Sequence, residues 1–148
     1  TNHYDRINYS RALPRPLETE VLLRAISHVS GVKGVDGNFF NVYGKPDLTS
    51  IPDRDMKPNL LQALHQLAGP TFTAKLSGKG GRVNHLLQTQ VSDKDIIEEL
   101  YLAALCRFPT ETERISLTAM IRRRDSRREA VEDLLWAMMN SEQFLNNH

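Results

Sequence analysis

Apolar residues in this chain recur mainly at three- and four-residue spacing, and no stretch shows strand alternation of comparable strength. The first such run begins at Leu17. Val21, Leu22, Ala25, Ile26 and Val29 form a stripe, with Pro16 near the first turn and Gly31 just past the end. Leu60, Leu61, Leu64 and Leu67 form another over residues 59–67, with Gly69-Pro70 as its stop. Shorter helices are predicted around 72–76 and 81–88.

Three further helices carry their own start signals. Ser92-x-x-Asp95, Thr110-x-x-Glu113 and Ser126-x-x-Glu129 each place a hydroxyl at the N-cap and a carboxylate three residues on, ahead of an apolar face. The hydroxyl accepts from an orphan backbone N–H, and the carboxylate can reach back to the cap's own N–H. Short connections between these helices favour antiparallel neighbours. The predicted fold is all-α: a compact bundle of about six to seven helices in one domain over residues 1–148. An extended arm, 1–16, broken by Pro14 and Pro16, precedes it. A long irregular stretch, 31–58, carries four glycines and three prolines around Phe39, Phe40 and Tyr43.

Composition narrows the chemistry. A formal net charge of +1 excludes a strong global field, so an anionic partner has to meet a local patch. Cys106 is the single cysteine, which excludes an intrachain disulfide, a cysteine-rich zinc site and a Cys-x-x-Cys-His haem attachment. Its setting, Leu105-Cys-Arg-Phe, reads as a small buried filler at a helix end, where the dipole disfavours a thiolate. No apolar run reaches the ~18 residues of a membrane span. The chain begins in polar sequence and reads as a fragment of a larger protein.

The five histidines are scattered, with no i, i+4 pair and no metalloprotease motif, so no metal ligands are assigned. His65, beside Asn59 and the 31–58 stretch, is the one histidine placed to serve a loop-lined pocket; the plainer reading is a histidine bonded to a backbone carbonyl. Arg11 and Arg15 either tie the arm to carboxylates such as Asp47 or Glu18 or contact an anionic ligand. Arg11, Arg15, Asp47, Asn59 and His65 are therefore the candidate binding residues. No catalytic residue is assigned.

Five arginines crowd the run Arg122-Arg-Arg-Asp-Ser-Arg-Arg128. They suit phosphate contacts, but they also span a helix end and the next cap with Asp125, Glu129, Glu132 and Asp133 nearby, which favours a solvated turn. Ser77-Gly-Lys-Gly-Gly-Arg82 lacks the spacing of a phosphate loop and reads as a flexible turn. Trp136 with Leu134, Leu135, Met138 and Met139 is apolar round much of a helix, as core or as an interface.

Four stretches in order resemble a known family: Asn8-Tyr-Ser-Arg-Ala-Leu-Pro-Arg-Pro-Leu, Tyr43-Gly-Lys-Pro-Asp, Pro58-Asn-Leu-Leu-Gln-Ala-Leu-His, and the closing Leu134-Leu-Trp-Ala-Met-Met-Asn-Ser-Glu-Gln-Phe. They are similar to the C-terminal domain, of unknown function, of the planctomycete surface-cytochrome family. The resemblance implies a module of an exported multidomain bacterial protein, at the periplasm or cell surface, with c-type haem carried upstream and no cofactor in this chain. It implies docking against upstream domains or other envelope proteins and supplies no catalytic residues. Some relatives carry cysteines after the Gly-x-Pro-Asp motif; here that place reads Leu48-Thr-Ser-Ile-Pro-Asp. The expected function is thus a non-enzymatic docking or assembly module, with no nucleic acid expected as partner. One alternative is an enzyme, or part of one, with a pocket at 31–58 near His65. The other is nucleic-acid binding through Arg122–Arg128.

Overall fold

A computed structural model describes residues 15–34, 70–78 and 80–147. Among these, seven helices follow in order: α1 (Thr19–Ser30), α2 (Pro70–Ser77), α3 (Arg82–Gln88), α4 (Asp93–Leu105), α5 (Glu111–Arg123), α6 (Arg127–Met139) and α7 (Glu142–Leu145). The all-α bundle expected from periodicity is the fold observed. One feature lies outside it. Strand β1 (Arg15–Pro16) pairs antiparallel with β2 (Asn146–Asn147), and Leu17 N–H donates to the Leu145 carbonyl at 2.9 Å.

The core forms where α4 and α6 meet α1 and α3. Ile96, Ile97 and Leu100 of α4 face Val131, Leu135 and Met139 of α6, with Ile26 and Val83 closing the sides; all are essentially inaccessible. The apolar surface around Trp136 is accordingly core: Leu134, Leu135, Met138 and Met139 are buried, and Trp136 itself is half-buried.

Local rules account for the helix ends. Ser92, Thr110 and Ser126 each accept from the backbone N–H three residues on. Only Thr110 completes the reciprocal box, with the Glu113 carboxylate accepting from Thr110 N–H at 2.8 Å. At Ser92 the Asp95 carboxylate takes the cap hydroxyl instead, at 2.6 Å. Ser141 caps α7 in the same way without a carboxylate.

Elsewhere the structure corrects the periodic reading. Helix α1 begins at Thr19, because Glu18 is extended (φ −61°, ψ 149°). Its buried face is Leu22, Leu23, Ile26 and Val29, while Val21 is 47% exposed. Pro70 opens α2, which runs to Ser77 and so is longer than the 72–76 expected, as proline's fixed φ suits a first turn. The helix expected over 59–67 and the irregular stretch beyond residue 34 lie outside the described residues.

Two glycines at the end of α2 and the start of α3, Gly78 and Gly81, are closely packed, while Gly80 meets nothing within 4 Å. A Cβ on Gly78 would lie 2.7 Å from Val32 Cγ2, and one on Gly81 would lie 3.1 Å from the Ser30 carbonyl. Two cations fasten this connection to the end of α1. Arg82 donates to the carbonyls of Val29 (2.8 Å) and His28 (3.2 Å) and pairs with Glu99. Lys75, 4% exposed, donates to Ser27 Oγ (2.9 Å), the Val32 carbonyl (2.5 Å) and the Gly34 carbonyl (2.7 Å). The Arg82 bonds satisfy carbonyls that the C-terminus of α1 leaves without partners, and the Lys75 bonds hold the segment just beyond it. Burial lowers the Lys75 ammonium below the ordinary lysine value.

Candidate docking site

Helix α5 buries least of the three capped helices. Ile121 is its single buried residue, with Leu117 and Met120 packed partly against the core. Polar contacts hold its N-terminal end. The Arg107 guanidinium grips Glu113 with two bonds of 2.8 and 2.9 Å, lies 5.0 Å from the Tyr101 ring centre, and reaches Gln143 Oε1 at 3.3 Å. Glu113 also accepts from the Thr110 N–H and hydroxyl. The hydrogen bonds from Arg107 and then from Thr110 hold the Glu113 carboxyl well below the usual carboxylate range. Burial, with the Glu113 carboxylate beside it, pushes the Tyr101 hydroxyl up. These bonds tie Tyr101 of α4 and the turn after it to the first turn of α5 and to α7.

The opposite face of α5 is different. Ile115, Ala119 and Arg122 recur at i, i+4 and i+7, off the core-facing Leu117–Ile121 stripe, and line a groove of about 670 Å³ facing the start of α4. Ile115 is 61% exposed at its floor. Lys94, Arg122 and Arg123 form its cationic end, and no described residue pairs with any of them. At the other end Arg114 is shared between Glu111 and Glu98, the latter at 3.4 Å. The groove therefore runs from a compensated end to an uncompensated positive one, across an apolar floor.

This geometry divides the arginine run. Arg124 pairs with Asp133 (2.6 Å), and Arg127 with Asp93 (2.8 Å) and the Val91 carbonyl (2.6 Å). Arg128 meets Glu132 (3.4 Å) and Asn84 (2.9 Å). Only Arg122 and Arg123 turn to the groove. Of the residues proposed from sequence, Arg15 lies on β1, exposed, its backbone paired with Asn147 and remote in sequence from the groove. Arg11, Asp47, Asn59 and His65 lie outside the described residues, as does any pocket at 31–58.

Cys106 corrects a reading. It is exposed, not a buried filler, because it occupies the left-handed C-cap of α4 (φ 52°), which turns the side chain out of the helix face. Sequence reasoning also missed Lys94 and Ile115. A signal for Ile115 was present in its second stripe, though Lys94 joins it only through tertiary packing. Among the described residues no cluster of three or more His, Cys, Asp or Glu is placed to hold a metal ion, and no helix is long and apolar enough to cross a membrane. Comparison of the chain with family profiles, curated proteins and solved structures gives no match.

Proposed function

We propose that this chain is a docking or assembly module of an exported multidomain bacterial protein of the planctomycete surface-cytochrome kind, rather than a catalyst. The groove along α5 is the observation that carries this reading. A 61% exposed isoleucine beside three cations without described ion-pair partners is a surface suited to being covered. The resemblance in the four sequence stretches supplies the envelope setting and the upstream domains as the nearest partners. It also places any c-type haem in the parent protein outside this chain.

A photo-reactive residue at Ile115 in the parent protein, expressed in its own cells, tests the reading. The expected product is one discrete adduct whose cross-linked segment maps to an upstream domain or an envelope protein, with none from the exposed Gln88 of α3. Equal adducts at both positions, or none at Ile115, would overturn it. So would turnover of a glycan, ester or peptide by the purified chain above background.

A further inference from the structure

Resting on that docking reading, we infer that the groove between α5 and the start of α4 takes an acidic amphipathic peptide segment. Its carboxylates meet Lys94, Arg122 and Arg123, and an apolar side chain lies on Ile115 and Ala119. Complementarity of charge carries the choice. The two consecutive arginines end α5, while Lys94 comes from the first turn of another helix, so positive charge is supplied from two elements around one apolar floor. A ligand that matches must place negative charge next to an apolar group, and a peptide with glutamate or aspartate beside leucine does so.

A nucleic-acid backbone fits less well. A phosphate chain calls for a continuous basic track, and here Arg124, Arg127 and Arg128 are each held by a carboxylate. Single-stranded nucleic acid gains much of its affinity by stacking on aromatic rings, and the groove lining contains none. The compensated end, where Glu111 and Glu98 share Arg114, also gives the site a direction. The partner's acidic residues lie over the C-terminal end of α5, and its uncharged or basic residues lie toward Glu111.

The probe is a fluorescein-labelled synthetic peptide of alternating glutamate and leucine pairs, titrated against the chain by fluorescence anisotropy at ~50 and ~200 mM salt. Dissociation constants of tens to hundreds of micromolar are expected, because exposed ion pairs contribute little each. Affinity should fall about 10-fold in Arg122→Glu/Arg123→Glu, about 5-fold in Lys94→Glu and about 3-fold in Ile115→Ser. It should be unchanged in Arg24→Glu, an exposed site on α1. Circular dichroism melts confirm that each variant is folded, and Lys94→Glu serves if the double variant is not. Equal binding by the folded groove variants would overturn the inference. So would equal competition from a leucine-free glutamate polymer or from duplex DNA of matched charge, since either marks unselective attraction. If the peptide fails while the Ile115 adduct persists, the acidic partner is refuted and docking stands. If the adduct is lost, both fall.

Discussion

Lys75 and the pair Arg122–Arg123 are cations put to opposite uses. Lys75 is almost inaccessible, and its three N–H donors meet three oxygens from Ser27, Val32 and Gly34. Arg122 and Arg123 stand in solvent at the end of α5, with no described counter-ion. The first organises its surroundings because a buried charge without partners is expensive, so the chain has to come to it. The second pair costs little to leave open, and the helix dipole favours cations there by only about 0.3–1 kcal/mol. Folding therefore explains Lys75 completely and explains Arg122 and Arg123 only in part. Chemistry left over after folding is where a partner is to be sought.

The contrast is sharpest at Lys75. Replacing it with methionine leaves two carbonyls and a hydroxyl without their donor, and should cost about 3 kcal/mol of stability, read as a lower urea midpoint. Gly78→Ala tests the same region from the backbone side. Its Cβ has to displace Val32, for an expected cost of about 2 kcal/mol in the same measurement.

Glu113→Ala, midway between the extremes, removes the capping box and the bidentate partner of Arg107, and should cost about 1.5 kcal/mol. Its effect depends on pH in a defined sense. The folded chain holds the Glu113 proton more weakly than the unfolded chain, whose glutamate titrates near about 4.3. The stabilisation is thus complete above that value and is lost as pH falls through the depressed folded value. The stability gap between wild type and Glu113→Gln should stay constant from pH 8 to 6 and narrow below about pH 4. At the far end, Arg122→Ala and Arg123→Ala should each change stability by less than about 0.5 kcal/mol. A loss as large as that of Lys75→Met would make them structural and break the comparison.

The parts of the molecule legible in the sequence are those whose causes are local. Ser92, Thr110 and Ser126 cap helices as their spacing requires, and Gly31 ends α1 in the left-handed conformation (φ 72°) expected of it. The all-α bundle follows from these ends and from the periodic faces between them. Lys75 was not legible, because its acceptors lie more than forty positions earlier in the chain. The packing of Gly78 and Gly81 is hidden in the sequence for the same reason: Val32 fills the space beside them only in three dimensions. Cys106 misled because a helix-end turn, not its apolar neighbours, decides where its thiol points. Of the groove, Arg122 and Arg123 are visible as charge, and Glu132 and Asp133 are near enough in sequence to be expected partners of Arg128 and Arg124, but the pairing of Arg127 with Asp93 depends on α4 and α6 coming together.

The two-residue ladder joining Arg15–Pro16 to Asn146–Asn147 also has a mechanical meaning. Tension applied through residues 15 and 147 pulls the two strands apart from one end, so their hydrogen bonds bear the load in succession rather than together. The clip should peel at low force while the α4–α6 core stays shut, making the module a compliant first element and a stiff second one along any tether that runs through it.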